Sequence, residues 1–160
     1  MGQGLRSFLA WGMIFVGVMA GYGLWQDIRH DVTPEQRAMM DRIEVPRAED
    51  GHYYLTLTIQ GRQMEFMADT GATGVVLSQD DARALGIDME ALVYAGESST
   101  ANGVVQTARV RLQDVELGPF HDETLGAWVN GGQMDGSLLG MDYLGRFDIQ
   151  IMGDRMILRR

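Results

Sequence analysis

The chain has 160 residues, enough for one domain with a real core, and its formal net charge of −9 argues against a nucleic-acid or anionic-lipid surface, which needs basic patches. All 13 Lys/Arg positions are Arg, a compositional bias with no functional reading attached. With no Cys, thiol catalysis, disulfides and cysteine-ligated metal sites are excluded.

From Ser7 to Gln26 no residue is charged. The run SFLAWGMIFVGVMAGYGLWQ is long enough to cross a bilayer as a helix, about 20 residues. Trp11 near one end, and Tyr22 and Trp25 near the other, are placed as interfacial anchors. Val18-Met19-Ala20 loosely resembles a signal-peptide cleavage site. Because the apolar stretch continues past it to Trp25, residues 1–26 read as a retained membrane anchor rather than a cleaved signal. Arg6 precedes the span while Arg29, Arg37 and Arg42 follow it, so charge does not decide the topology. Gly17 and Gly21 form a GxxxG pair that permits close helix approach.

Residues 27–50 are polar and read as a linker with a short helix. Thr33 serves as N-cap, Pro34 as first helical residue and Gln36 as the capping-box partner, with the helix running toward Ile43 and stopping before Pro46. The folded domain is expected over 51–160. Tyr53 to Ile59 alternates and is β-rich, Gln60-Gly61-Arg62 turns, and Gln63 to Ala68 returns, leaving Asp69 just past a hairpin. Val75-Val76-Leu77 is a short strand. A helix opens at Ser78 and runs through Leu85, with Gly86 closing it. Strands are expected at 104–112, 115–117 and 127–129, with a Gly118-Pro119 turn. An apolar element follows at 137–144, around Gly140. A terminal hairpin of 147–152 and 156–159 turns at Gly153-Asp154-Arg155. The pattern is mostly β with two or three short helices and no internal repeat.

Within FMADTGAT, Asp69 sits among apolar neighbours, where a carboxylate is costly unless paired, hydrogen-bonded or protonated. Asp-Thr-Gly alone also suits an ordinary turn. Its context is more specific: an apolar strand on each side, then Ser137-Leu138-Leu139-Gly140 about seventy residues later, leading into a short helix and a hairpin.

FMADTGAT and SLLGMDYLGRF, with SSTANGVVQTARV between them, resemble one lobe of the aspartic peptidases, specifically the single-lobe retropepsin-like (clan AA) group. The resemblance covers roughly residues 50–160. It implies a closed, mostly β acid-protease barrel with short helices, preceded here by an N-terminal transmembrane helix, a pattern associated with a bacterial subgroup. It implies a catalytic loop of Asp69, Thr70 and Gly71, supported by Ala72, Leu138, Leu139 and Gly140. A flap around 98–109 would cover the substrate, its tip at Thr100, Ala101, Asn102 and Gly103. In this family an Asp acts only with a second Asp, the two sharing one proton because adjacent like charges do not both ionise comfortably. The chain has one Asp-Thr-Gly and no Asp-Ser-Gly, so the resemblance implies a homodimer with Asp69 facing its copy. Thr70 would then hydrogen-bond across the two-fold axis. The implied activity is an aspartic endopeptidase on polypeptides, with no cofactor. The implied setting is a single pass in a bacterial inner membrane, with the domain in the periplasm. Two departures stand out: a single Gly at the flap tip, and Met141 where retroviral members carry a polar residue.

Other chemistries fit poorly. His30, His52 and His121 are scattered without HExxH spacing, so no zinc site is expected, and no GxSxG serine elbow occurs. Trp128 reads as core rather than pocket, and Asp135 and Asp142 as solvated loop or helix-start residues. The competing function is a non-catalytic, membrane-anchored peptide-binding or dimerisation module of the same fold. The intact Asp69-Thr70-Gly71 favours catalysis.

Overall fold

A computed structural model describes residues 36–100 and 103–160. The expected anchor over 1–26, its GxxxG pair and the start of the linker helix lie outside the described residues. Among the described residues no helix is long and apolar enough to cross a membrane.

Period-two alternation builds most of the fold. Strand β3 (Tyr54–Ile59) buries Leu55, Leu57 and Ile59, and β4 (Arg62–Ala68) buries Met64 and Phe66. They join through Gln60 and Gly61, both at positive φ (51° and 76°), with Ile59 paired to Arg62. This is the two-residue hairpin geometry that matches strand twist. The chain continues through β5 (Val75–Leu77), α1 (Gln79–Ala84), β6 (Gly96–Thr100), β7 (Gly103–Leu117) and β8 (Phe120–Asn130). It ends with β9 (Ser137–Leu139), α2 (Met141–Leu144), β10 (Asp148–Met152) and β11 (Arg155–Arg159). Ser78 caps α1, its side chain accepting the Asp81 N–H at 3.1 Å, and Gly86 follows at φ 81°.

Seven strands lie in the order β3-β4-β9-β5-β8-β7-β6. Pairing of Thr58 with Glu116 and of Ile59 with Val115 joins β3 to β7 and closes the sheet into a barrel. Two neighbours are parallel, β4 with β9 and β5 with β8, so β9 threads between the strands that flank the Asp69 loop. Leu55, Phe66, Leu77, Leu125, Leu139 and Leu144 are among the fully enclosed members of one core cluster. The expected mostly β closed barrel with short helices is the observed architecture.

The linker is different. Instead of a helix toward Ile43, the described part holds β1 (Arg37–Ala38) and β2 (Arg42–Pro46), in a second sheet ordered β1-β2-β11-β10. Val45 pairs with Met156 and Ile43 with Leu158, and Ile43 and Val45 are completely buried. A helix cap contributes about 1 kcal/mol. Burying two β-branched side chains contributes about 1.5–3 kcal/mol each, so tertiary packing overrides the local signal. The Gln36 side chain bonds the Thr56 backbone instead, accepting its N–H at 3.0 Å and donating to its carbonyl at 3.4 Å. The folded unit therefore includes residues before 51. The strands expected at 104–112 and 115–117 are one strand running through Asp114, and 127–129 is the end of the longer β8.

Candidate active site

Asp69 is positioned by the parallel pairing of β4 with β9, which sets Ala68 beside Leu139. One step on, the Asp69 N–H donates to the Leu139 carbonyl at 3.1 Å, extending the ladder into the loop. The loop turns back at once: the Ala72 N–H donates to the Asp69 carbonyl at 3.2 Å, and the Gly71 N–H to Asp69 Oδ1 at 2.8 Å. The carboxylate is thus half-buried and held by its own turn. A Cβ on Gly71 would lie 3.1 Å from that oxygen. Thr70 is exposed, and its hydroxyl has no hydrogen bond among the described residues.

The second motif holds this loop from behind. The Met141 N–H donates to the Ala72 carbonyl at 2.9 Å and the Asp142 N–H to the Thr73 carbonyl at 2.7 Å. The first amides of α2, which lack partners within the helix, are thereby satisfied by the loop carrying Asp69. Leu139 is fully buried beneath the loop, whereas Leu138, on the opposite side of β9, is half-buried and faces the cleft. Buried Ser137 donates to Asp81 Oδ2 at 2.5 Å and accepts the Ser78 N–H at 3.0 Å, tying β9 to the start of α1.

Asp69, Gly71 and Ala72 form the floor of a cleft of about 790 Å³, roofed by Gly96–Thr100 of β6 with Val105 and Thr107 of β7. The β6–β7 hairpin spans the residues expected to form a flap. Thr100 pairs with Gly103, and its hydroxyl donates to the Gly103 carbonyl at 2.7 Å. Ala101 and Asn102 lie outside the described residues. The structure therefore brings Asp69, Gly71, Ala72, Leu138 and Thr100 to one cavity, with Leu139 and Gly140 in support behind it.

Two residues read otherwise from sequence also line it. Trp128, expected in the core, is half-buried and forms a wall. Asp142, expected only at a helix start, does lie in the first turn of α2 but also lines the cleft, while Asp135 stays exposed. Glu97, Asn130 and Met134 line the cleft without having been singled out. The indole fits because two distant glycines make room: a Cβ at Gly74 would lie 3.2 Å from Trp128 Cδ1, and one at Gly96 would lie 3.0 Å from Cζ3. Gly74 and Gly96 were the available signal, but no sequence pattern links them to Trp128. Among the described residues no three His, Cys, Asp or Glu side chains converge to hold a metal. One carboxylate in an open cleft can act as an acid or as a base, but not as both at once.

Residues 55–146 match the family model described as gag-polyprotein putative aspartyl protease. The chain is 32% identical over 158 residues to the uncharacterized protein RP867 of Rickettsia prowazekii, covering 92% of this chain and 68% of that one. It is 28% identical over 173 residues to an uncharacterized protein in the cobV 5′ region of Sinorhizobium sp, covering 99% of this chain and 74% of that one. A retropepsin-like aspartic protease from Rickettsia conorii superposes with a TM-score of 0.68 at 34% identity, over 78% of this chain and 95% of that one. The EIAV protease, solved with the inhibitor HBY-793, shares the fold at a TM-score of 0.52 and 17% identity, over 61% of this chain and 89% of that one. With its Asp69 loop, closing β9 strand and covering hairpin so arranged, the chain belongs to the gag-polyprotein putative aspartyl protease family and has its retropepsin-like single-lobe fold.

Proposed function

We propose that the chain is an aspartic-type endopeptidase that works as a homodimer, with water held between Asp69 of one copy and the partner's Asp69. The observation that carries this reading is the placement of Asp69 at the floor of the cleft, its Oδ1 held by the Gly71 amide and the β6–β7 hairpin above it. Asp-Thr-Gly occurs once in the chain, so the second acid comes from a second copy. The two carboxylates share one proton. The ionised one takes a proton from the water as its oxygen bonds to the scissile carbonyl carbon, and the protonated one gives its proton to the carbonyl oxygen. Collapse of the resulting diol breaks the C–N bond, and the amine leaves with a proton returned by the dyad. Apolar Val76 and Leu138 beside the acids exclude water and strengthen these interactions. Hairpin closure would hold the peptide extended.

Exposed Thr70 fits a residue that bonds across the two-fold axis. Ile151 and Met152, each 60% exposed on the edge strand β10, offer apolar surface for pairing. The uncharged run 7–26 is proposed to anchor the chain in a bacterial inner membrane with the domain in the periplasm, where tethering raises the effective concentration of the two halves.

The test is incubation of the full chain with a denatured protein at acidic and neutral pH beside Asp69→Ala. Cleavage by the wild type, reduced at least about a thousandfold in the variant, is the expected result. A dimeric wild type that cleaves nothing under any of these conditions leaves the peptide-binding module as the reading.

A further inference from the structure

The chemistry inside the cleft is uneven around Gly74. A Cβ there would lie 3.2 Å from Trp128 Cδ1, 3.3 Å from Trp128 Nε1 and 3.7 Å from Asp142 Oδ2. The pyrrole edge of an indole and a carboxylate oxygen are thus neighbours in the cleft wall at Gly74, where the ring already takes the room that a side chain would need. They arrive from distant elements. Parallel pairing of β5 with β8 places Trp128 beside Val76, and the bond from the Asp142 amide to the Thr73 carbonyl fixes the start of α2. The Asp142 carboxylate and the Trp128 N–H have no hydrogen bond or ion pair among the described residues.

The charge lining the cleft has one sign. Among the described residues lining the cleft, Asp69, Glu97 and Asp142 are acidic and none is basic. The Glu97 carboxylate accepts only a neutral donor, Gln106 Nε2 at 3.0 Å. Two cations lie outside the lining: Arg146, whose Nε donates to the Asp142 carbonyl at 3.2 Å while its Nη1 pairs with Asp122 at 3.2 Å, and Arg109, paired across the strands with Trp128. The Arg109 guanidinium carbon lies 5.7 Å from the ring centroid.

A neutral apolar side chain packed against this wall would desolvate Asp142 without pairing it, and an acidic one would be repelled. A guanidinium would gain a charge-assisted bond to the carboxylate and a contact with the electron-rich indole. Building on the endopeptidase reading above, we propose that the stretch of cleft wall formed by Trp128 and Asp142 is a subsite for a basic side chain, so that the cleft selects polypeptide segments carrying Arg or Lys, with Trp128 and Asp142 as its specificity-determining residues. Arginine binds better than lysine here, because its planar fork both engages the carboxylate and packs on the ring.

The test separates binding from cleavage. Full-length chain carrying Asp69→Asn, which does not turn substrate over under the endopeptidase reading, is titrated with fluorescent peptides. Each peptide carries arginine at one position, scanned along its length, beside a twin with citrulline, the neutral isostere. At one position the arginine peptide is expected to bind roughly tenfold tighter than its twin. That gap narrows at high salt, a readout that needs no further variant. Adding Asp142→Asn, which keeps the size of the side chain, closes the gap. The proposal is overturned if no position shows a gap, if the gap survives Asp142→Asn, or if no peptide binds. Cleavage by the Asp69-intact chain is scored separately. A binding gap without cleavage sinks the endopeptidase reading and leaves the basic subsite standing; cleavage without a gap does the reverse.

Discussion

Gly140 packs so tightly against Gly74 that a methyl group on Gly140 would lie 2.3 Å from the Gly74 carbonyl oxygen, and 2.7 Å from that of Ala72. Both carbonyls belong to the loop that carries Asp69, and backbone atoms cannot rotate away as a side chain does. Gly140→Ala is therefore expected to cost about 2–4 kcal/mol in urea unfolding and to displace the loop, removing Asp69-dependent activity. Gly136→Ala is the control, because nothing lies within 4 Å of its Cβ position, and it should stay within about 0.5 kcal/mol of wild type. Equal stability of the two variants would contradict the packing described.

Ser137 joins the strand behind the site to the helix after it. Its hydroxyl donates to Asp81 and accepts the buried Ser78 amide, and Ser137 itself is 1% exposed. Ser137→Ala strands that amide without a partner and is expected to cost about 1–3 kcal/mol by denaturant titration. Ser137→Thr, which keeps a hydroxyl, shows whether the loss lies in the bond or in the added volume.

The sequence boundary at 51 makes a third test. A chain beginning at residue 51 lacks Ile43 and Val45, whose burial contributes about 3–6 kcal/mol, comparable to the whole stability of a small domain. It also leaves β11 without its partner β2. That truncation is expected to be unfolded or aggregated by circular dichroism and light scattering. A cooperatively folded product would show that β2 is dispensable.

Tyr54 donates to Asp50 at 2.6 Å, and the same carboxylate accepts the His52 amide at 2.9 Å. The tyrosine bond first, then the amide, hold Asp50 below its ordinary value of 3.8, and the same tyrosine bond pushes Tyr54 up to about 12. The carboxylate's contribution to stability is present above its unfolded pKa and is lost as pH falls through the lower folded one. The phenol's is fully present below about 10 and is lost as pH rises toward about 12. An NMR titration of the Asp50 carboxyl should give a midpoint below 3.8 that moves up in Tyr54→Phe. A midpoint indifferent to that substitution would remove the bond as its cause.

The parts of this fold legible in the sequence are those set by local pattern. Alternation in β3 and β4, the Gln60-Gly61 turn and the Ser78 cap each carry their signal within a few residues. The Asp69 loop and the Ser137–Gly140 element were legible as a resemblance in their order. What was not legible depends on distant partners. The β2 strand offers only Ile43 and Val45 as alternation, and their burial comes from Met156 and Leu158 more than a hundred residues on. Trp128 alternates with buried Ala127 and Val129, so its neighbours say core, but the half-open wall beside it is made by Gly74 and Gly96. Asp142 looked like a helix-start residue and is one, yet only the folding of α2 onto Thr73 turns its carboxylate into the cleft.

The most direct measurement mixes two kinds of chain. Wild-type and Asp69→Asn chains, jointly refolded in varied proportion at constant total concentration, are assayed on a peptide substrate while sedimentation confirms dimers. If each site needs Asp69 from both copies, only dimers of two wild-type chains cut, and activity follows the square of the wild-type fraction: about one quarter at equal mixing. Activity in direct proportion to that fraction, about one half at equal mixing, would mean that each chain carries its own complete site and would contradict the shared dyad.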